Sequence, residues 1–361
     1  MRRSALAAAL PLLLVSAQAA WAQAFDDDHN ESINGTTLHF RVRGADRKNP
    51  YLLILHGGPG QGSFGFYPWG ALLEDKLNVV YLDQRGCGGS ARVKFSDPRV
   101  GSTRMRFADP VRPTAEEVAP FSLDNQVKDI EGVREFLKIE KWYVLGHSAG
   151  GMLGLEYVVA HQKHVLGYIW MDGLISVPLL NDNLLDQSEA YFRKQAASGD
   201  AAQKQTAEEQ LQAIQRIRAL PIGIERGFQA QAVRFKIPNF EGGPIELRNA
   251  YNERMKVAEA KYHVSASGQS SFEAALAVFY NERNHYMSRD DRPLLAKVRV
   301  PTLIIEGKDD HLITPAMAQM VHGGIKGSEI LLVDECGHAP YADQPEKTSA
   351  AVLSYVARRR R

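Results

Sequence analysis

The fold is decided by residues 142–151, whose sequence is WYVLGHSAGG. The apolar run Trp142–Leu145 predicts a buried strand and helical spacing resumes near Gly151, so the pattern G-x-S-x-G lies at a strand-to-helix turn. Small residues at such a turn let strand and helix approach closely, and the first amides of the helix point toward the serine oxygen. Ser148 is therefore predicted to be a nucleophile; an incidental serine in a glycine-rich turn is the alternative.

Outward from this turn, short apolar runs alternate with helical patterns along most of the chain. Continuous apolar runs are typical of parallel strands that are buried on both faces. The sequence therefore predicts an α/β fold, with a mostly parallel sheet and helices on both of its faces. The other predicted strands are Thr37–Val42, Tyr51–Leu55, Asn78–Leu82, Leu166–Met171, Thr302–Ile305 and Ile330–Val333.

The alternation is interrupted between about Pro178 and Arg292, where Ala, Gln, Glu, Lys and Arg dominate and apolar residues have helical spacing. This region is predicted to be a helical cap inserted between two strands of the sheet. The predicted organisation is a signal peptide at 1–24, a first core segment at 25–177, the cap at 178–293 and a second core segment at 294–361.

The first residues have the pattern of a secretory signal. Arg2 and Arg3 precede the apolar stretch Ala5–Val15, and Ala22-Gln23-Ala24 offers a small-x-small cleavage site. An uncleaved anchor is the alternative, but the apolar run is short for a membrane-spanning helix. The chain is therefore expected to be exported, periplasmic or secreted, without stable membrane insertion after cleavage.

Composition narrows the class of protein further. The chain has 361 residues, 44% of them hydrophobic, and a formal net charge of +1, so nothing points to a nucleic-acid partner. Its two cysteines cannot form a disulfide framework, and no Cys/His group has zinc-ligand spacing. We expect no metal and no cofactor. The sequence does not decide whether Cys87 and Cys336 form a disulfide bond, and it does not decide the oligomeric state.

A serine nucleophile needs a base, and the base needs an acid that orients it. Gly307-Lys308-Asp309-Asp310 follows one predicted strand, and Cys336-Gly337-His338-Ala339-Pro340 follows the next. Functional loops collect at the carboxyl ends of parallel strands, so His338 is the predicted base. Asp310 is the preferred acid, with Asp309 as the alternative.

The loop after strand Tyr51–Leu55 is rich in glycine. Its sequence is His56-Gly57-Gly58-Pro59-Gly60, where missing side chains let the backbone approach a bound carbonyl group. The amides of Gly58 and Ala149 are the predicted oxyanion-hole donors. A phosphate cradle is disfavoured because no Lys-Ser/Thr pair follows.

Four motifs resemble one known family, the prolyl iminopeptidase group of serine aminopeptidases in the α/β-hydrolase superfamily. The motifs are His56–Gly60, Asp83–Ser90 (DQRGCGGS), Gly173–Pro178 (GLISVP) and Gly337–Pro340 (GHAP), and the likeness spans about 35–178 and 295–345. The resemblance implies an α/β-hydrolase fold and a serine hydrolase that works through an acyl-enzyme. It also implies release of N-terminal residues from short peptides or amino-acid amides, with a small-molecule or short-peptide substrate and no cofactor.

Two positions depart from the family pattern. Ala149 stands where those enzymes carry Trp after the serine, and Arg283 stands where they carry a cap glutamate that holds the substrate's amino group. The neighbouring Glu282 is the residue that the resemblance offers for substrate binding. A carboxylesterase or lactonase acting on small esters is the alternative function, because it uses the same machinery.

Cleavage after Ala24 is the testable consequence of the N-terminal pattern. When the full chain is produced in a bacterial host, we expect Phe25 to be the mature N-terminus and the protein to lie outside the cytoplasm. N-terminal sequencing and cell fractionation measure the two outcomes. Ala24→Trp is expected to block cleavage, because signal peptidase accepts small residues there. A cytoplasmic protein that keeps its first 24 residues contradicts the prediction.

Overall fold

The computed structural model describes residues 24–100 and 111–359. In these residues an eight-stranded sheet runs in the order β1-β2-β4-β3-β5-β6-β7-β8. β1 and β2 pair antiparallel, as do β2 and β4, and every pair from β4 to β8 is parallel. The strands are β1 Phe25–Ile33, β2 Thr36–Gly44, β3 Tyr51–Leu55, β4 Asn78–Leu82, β5 Trp142–His147, β6 Val165–Met171, β7 Thr302–Gly307 and β8 Glu329–Val333.

Helices cover the sheet and fill the connections between its strands. The central strands are almost fully buried, and apolar clusters lie on both faces of the sheet. This is the predicted fold class, a mostly parallel sheet between layers of helix. The helices are α1 Tyr67–Gly70, α2 Ala115–Val118, α3 Leu123–Phe136, α4 Ala149–His161, α5 Val177–Ser198, α6 Ala201–Ala219, α7 Ile224–Arg234, α8 Ile245–Tyr262, α9 Ala266–Gln269, α10 Phe272–Tyr280, α11 Arg292–Leu295, α12 Pro315–Gly324, α13 Pro340–Asp343 and α14 Pro345–Ala357.

Strand β1 is an element that the sequence patterns missed. Its first half is the acidic run Asp26–Asp28, which lacks the β-branched and aromatic residues that mark strands. Cross-strand charges account for its formation: Asp26 pairs with Arg41, and Asp28 accepts a hydrogen bond from His39 at 2.7 Å. The acidic side chains also keep this edge strand from pairing with another sheet.

Residues 1–23 and 360–361 lie outside the described residues, and with them nearly all of the predicted signal peptide. β1 begins at Phe25, directly after the predicted cleavage position. No helix in the described ranges has the length and apolar character needed to cross a bilayer.

The segment between β6 and β7 is almost entirely helical and holds α5 to α11. Helices cross both boundaries of the predicted cap (178–293), since α5 begins at Val177 and α11 ends at Leu295. α5, α6 and α7 enclose an apolar cluster of their own. Its buried members are Leu185, Phe192, Ala207, Ile214, Ile217, Ala230 and Val233.

The turn from β5 to α4 is packed against the neighbouring strand β3. A β-carbon on Gly150 would lie 2.2 Å from the carbonyl oxygen of Leu55. Only a residue without a side chain therefore lets α4 begin this close to the sheet. This close approach explains the second glycine of the G-x-S-x-G pattern; at the first, Gly146, a β-carbon would lie 2.3 Å from the carbonyl oxygen of Gly150.

Gly150→Ala is expected to destabilise the fold by about 1–3 kcal/mol, because the added methyl group overlaps the backbone of β3. Gly323→Ala is the matched control, since Gly323 is also helical and a β-carbon there meets no atom within 4 Å. Helix propensity predicts that this control is neutral or stabilising by up to about 1 kcal/mol. Thermal unfolding of both variants measures the difference. A Gly150→Ala protein as stable as the wild type contradicts this account.

Candidate active site

Three side chains from separate loops form one hydrogen-bonded chain. Ser148 Oγ lies 3.0 Å from Nε2 of His338, and Nδ1 of His338 lies 2.7 Å from Oδ2 of Asp310. All three residues follow strands of the parallel sheet, after β5, β7 and β8, at its carboxyl-terminal edge. The structure thus brings together the predicted nucleophile, base and preferred acid. With Asp310 as acceptor, the proton on His338 sits on Nδ1 and Nε2 is left to accept from the serine hydroxyl.

Ser148 has a backbone conformation that side-chain-bearing residues rarely adopt, with φ 54° and ψ −125°. Its carbonyl oxygen accepts hydrogen bonds from the amides of Gly151 (2.8 Å) and Leu174 (2.7 Å), and its own amide donates to Asp172 (3.1 Å). These bonds fix the turn between β5, α4 and the end of β6. The serine oxygen is thereby held in front of the histidine.

Asp310 is tied into its loop through both carboxylate oxygens. Oδ2 accepts from His338, while Oδ1 accepts from the amides of Leu312 (2.6 Å) and Ile313 (3.1 Å). The side chain is buried, whereas the neighbouring Asp309 is exposed. Of the two aspartates, Asp310 is the one that contacts the histidine.

Two opposing effects act on the protonation of His338. Burial disfavours the imidazolium, but the charge of Asp310 and the hydrogen bond to it favour it more. The pKa of His338 is therefore raised above its ordinary value. A raised pKa makes the histidine a stronger base toward the serine hydroxyl and stabilises the imidazolium that forms after proton transfer.

His147, the variable residue of the G-x-S-x-G pattern, positions the base. Its Nε2–H donates to the carbonyl oxygen of His338 at 2.8 Å. Burial, helped by the adjacent His338, lowers the pKa of His147 to about 3, so this ring is neutral. The sequence analysis did not single it out, because its partner lies far away along the chain.

The glycine-rich loop runs directly beside the serine. A β-carbon on Gly57 would lie 2.8 Å from the β-carbon of Ser148. Gly58 follows in this loop, and Ala149 is the first residue of α4, where backbone amides have no partner within the helix. This geometry fits the predicted role of the Gly58 and Ala149 amides, which stays a prediction.

The DQRG motif holds the glycine-rich loop in place. The amide of Gln84 donates to Nε2 of His56 at 3.1 Å, and the side-chain amide of Gln84 donates to the His56 carbonyl at 2.8 Å. Asp83 accepts from the amides of Ser63 (2.7 Å) and Gly89 (2.8 Å). Two of the motifs that carry the family resemblance are therefore joined by hydrogen bonds.

Two further buried carboxyl groups lie behind Asp310. One oxygen each of Asp172, Glu306 and Asp310 lies within 4.8 Å of the others. Burial raises the pKa of Asp172 and of Glu306 well above the ordinary range. The charge of Asp310 raises the pKa of both further, and Asp172 adds to the increase for Glu306. Burial therefore favours the protonated forms of Asp172 and Glu306. No sequence motif pointed to either residue.

The cluster formed by Asp172, Glu306 and Asp310 is better explained by buried, protonated carboxyl groups than by a metal site. Both oxygens of Asp310 and both ring nitrogens of His338 already have hydrogen-bond partners. The second set of close donor atoms, from His147, Asp172 and His338, shares the same histidine. A metal ion bound here would compete with the bonds that join the triad.

Glu282 lies in the wall of a cavity that no triad residue lines. Its side chain is exposed and lines a cavity of about 480 Å³ whose lining also includes Arg112, Glu225 and His285, but neither Ser148 nor His338. Its predicted role in substrate binding stays a prediction.

Both cysteines are buried and free, so the bridge that the sequence analysis left open is not formed. Burial raises the pKa of Cys87 to about 12, and it also raises the pKa of Cys336. Both side chains are therefore uncharged thiols at neutral pH.

Comparison with known proteins identifies the family and agrees with the fold. A family model described as alpha/beta hydrolase fold matches residues 50–345. A proline iminopeptidase of Saccharolobus solfataricus is 24% identical over 329 residues, which are 88% of this chain and 87% of that protein. A proline iminopeptidase-related protein of Thermus thermophilus superposes with a TM-score of 0.64 at 22% identity, covering 92% of this chain and 98% of that one. The predicted fold class and the resemblance to proline iminopeptidases are both confirmed.

Asp310→Asn is expected to lower kcat by about 10⁴-fold, because the histidine loses the acceptor that fixes its tautomer. The pH profile of kcat/KM should shift as well. Wild-type activity rises as His338 loses its proton, at a pH above the ordinary histidine pKa. Without the Asp310 charge, burial is the main effect on the pKa of His338 and lowers it. The midpoint of the pH profile therefore moves to lower pH.

Asp309→Asn is the matched control for this experiment, because it removes the adjacent, exposed carboxylate. We expect activity within about twofold of the wild type and an unchanged midpoint, as is usual for a screened surface charge. A large loss in Asp309→Asn with little change in Asp310→Asn would reverse the assignment of the acid.

Proposed function

Because this chain belongs to the alpha/beta hydrolase fold family, we propose that it is a serine hydrolase that works through an acyl-enzyme, most specifically an aminopeptidase. The observation that carries the proposal is the hydrogen-bonded chain from Ser148 through His338 to Asp310, built on a strand-to-helix turn. A serine, a base and an orienting acid in this geometry are the components of nucleophilic acyl transfer.

In the first half of the proposed reaction, Ser148 Oγ attacks the substrate carbonyl carbon. His338 Nε2 takes the hydroxyl proton as the new bond forms, and Asp310 stabilises the resulting imidazolium. The amides of Gly58 and Ala149 donate hydrogen bonds to the oxyanion. Preorganised donors of this kind are worth about 10²–10³ in rate each.

In the second half, His338 returns its proton to the leaving amine and the bond between carbonyl carbon and nitrogen breaks. The acyl group remains on Ser148. A water molecule then gives its proton to Nε2 and attacks the acyl carbonyl, and the serine leaves with the proton from the histidine. No cofactor enters either half of this proposal.

The proposed substrates are short peptides or amino-acid amides with a free N-terminus. Support comes from the relatives, since three proline iminopeptidases align over most of this chain. Release of an N-terminal residue, proline among the candidates, follows from that likeness. We also propose export from the cytoplasm, on the strength of the N-terminal pattern.

Hydrolysis of small esters by a carboxylesterase or lactonase is the second candidate. One observation favours it: the cap carboxylate offered for a substrate's amino group, Glu282, is exposed on a cavity that the triad does not line. An aminopeptidase needs a negative group that pairs with the substrate ammonium, whereas an esterase does not.

The proposal is tested by comparing prolyl- and alanyl-p-nitroanilide with p-nitrophenyl acetate on the purified protein. We expect cleavage of both kinds of substrate, with a serine-directed fluorophosphonate labelling the protein at one to one. Ser148→Ala should lose the label and on the order of 10⁶ in kcat, because the attacking oxygen is gone.

Ser267→Ala is the matched control, because Ser267 is exposed on the short helix α9 of the same chain. It should keep both the label and the activity. Ester cleavage without any arylamide cleavage would reject the aminopeptidase and leave the esterase. Full labelling of Ser148→Ala would reject the hydrolase mechanism itself.

A further inference from the structure

His39 on β2 connects the edge strand β1 to the DQRG motif. Its Nε2 lies 2.7 Å from Oδ1 of Asp28, and its Nδ1 lies 2.7 Å from Oδ2 of Asp83. The imidazole is mostly buried, with 16% of the side chain exposed, and the side chain of Asp83 is almost fully buried. One carboxylate therefore faces each nitrogen of the ring.

This arrangement bears on the charge of the ring. An ionised carboxylate only accepts hydrogen bonds, so His39 can bond Asp28 and Asp83 at the same time only when both of its nitrogens carry protons. Neutral imidazole has one N–H and would turn a lone pair toward a carboxylate oxygen 2.7 Å away. Burial lowers the pKa of His39, but the hydrogen bonds and charges of the two aspartates outweigh burial and raise this pKa above its ordinary value. The geometry therefore favours the imidazolium.

Asp83 is the buried anion that this cation compensates. Its Oδ2 also accepts from the amide of Gly89 at 2.8 Å, and its Oδ1 accepts from the amide of Ser63 at 2.7 Å. Burial opposes the ionisation of Asp83, but His39 and the two amides outweigh burial, so the pKa of Asp83 is lowered. The two residues are also joined through the backbone, because the amide of Asp83 donates to the carbonyl of His39 at 3.0 Å.

The glycine-rich loop and its continuation to Ser63 are bonded at both ends to Asp83 and Gln84. Ser63 donates to Asp83 at one end, and His56 forms two hydrogen bonds with Gln84 at the other. Between these ends, a β-carbon on Gly57 would lie 2.8 Å from the β-carbon of the nucleophilic serine. A displacement of Asp83 would therefore move a loop that is packed against the reacting group.

We propose that His39 is a positioning residue for the oxyanion hole: as an imidazolium between Asp28 and Asp83, it keeps the glycine-rich loop where the amide of Gly58 binds the oxyanion. This proposal rests on the proposed function, in which Gly58 is an oxyanion donor. Loss of the His39 proton leaves Asp83 as a buried anion without this counter-charge, which costs free energy. The loop then loses part of its support, and activity falls on the alkaline side.

The direction of this pH dependence follows from the raised pKa of His39. Its contribution is complete at low pH and is lost as the pH rises through the raised pKa. Burial raises the pKa of Tyr67 and of Cys87 and lowers that of His56, so these three groups are neutral there. Arg41 bonds Asp26, and its raised pKa keeps it charged. In the described part of the chain, the ionisable groups around the ring of His39 and its two carboxylates are Asp28 on β1, Arg41 on β2, Tyr67 on α1, His56 in the glycine-rich loop, and Asp83 and Cys87 after β4.

The test measures kcat and KM for p-nitrophenyl acetate from acid to alkaline pH, because this ester has no group that titrates. We expect a bell-shaped profile of kcat/KM, with an acid limb from His338 and an alkaline limb from His39. His39→Gln is expected to abolish the alkaline limb and to lower kcat by about tenfold at the wild-type optimum, with KM within about twofold. This loss is smaller than the roughly 10²–10³ of a missing oxyanion donor, because the donor is displaced and not removed.

His29→Gln is the matched control for this variant. His29 is a partly buried histidine of the neighbouring strand β1, and its ring faces Glu31 at 3.7 Å. The control should keep the kcat of the wild type and its alkaline limb.

Asp28→Asn tests the same inference without changing the histidine. Removal of the outer carboxylate should move the alkaline midpoint to lower pH by about 0.2–0.7 pH unit, which is what a half-exposed ion pair provides. Asp27→Asn is its matched control, because the Asp27 carboxylate pairs with Arg47 at 2.9 Å. This control should leave the midpoint unchanged.

Thermal unfolding at each pH and labelling by the fluorophosphonate show whether each variant is folded. If His39→Gln does not fold, the midpoint of Asp28→Asn decides. The role of His39 is overturned, and the hydrolase stays, if the labelled and active wild type has no alkaline limb or one that coincides with unfolding. The same holds if His39→Gln keeps the limb or the wild-type kcat. A wild type that is neither labelled nor active rejects the proposed function, and the role of His39 with it.

Discussion

The catalytic arrangement depends on one backbone constraint, the positive φ of Ser148. A side-chain-bearing residue in such a conformation costs about 1–3 kcal/mol, and the cost is met by hydrogen bonds from neighbouring segments. The amide of Leu174 and the carbonyl of Asp172 supply two of them, both from the chain that leaves β6. The position of the nucleophile is thus set by two adjacent parallel strands. Gly150 permits this by letting α4 begin against the backbone of β3.

Around this turn, burial decides which ionisable groups are neutral. His147 is an uncharged donor to the backbone of His338, and burial favours the protonated forms of Asp172 and Glu306 behind the acid. The negative charge therefore lies on the one side of the imidazole where it supports proton transfer. A small number of buried ions favours the folded state, because each additional buried ion would need a partner of opposite charge.

The sequence predicted the site residues that lie within short motifs after strands, and it missed those whose chemistry depends on burial against other segments. Ser148 and His338 lie within short motifs whose spacing reflects local backbone geometry. Asp172, directly after β6, and Glu306, within β7, have no such motif, because their environment is created by the packing of adjacent strands that are distant in sequence. Strand β1 was missed for a related reason: its acidic residues are stabilised by partners on the next strand, which a local pattern does not contain.

The apolar cluster enclosed by α5, α6 and α7 gives the cap an interior separate from the two clusters that pack on the sheet. Substitutions in separate clusters add nearly independently in their effect on stability. Sequence drift in the cap can therefore change which molecules enter the site while the sheet keeps the same margin against unfolding. In an evolving lineage, the chemistry of the triad and the choice of substrate can then change separately. The cap loop around Glu241 joins the two parts, because the Glu241 carbonyl accepts a hydrogen bond from the amide of His338 at 3.1 Å.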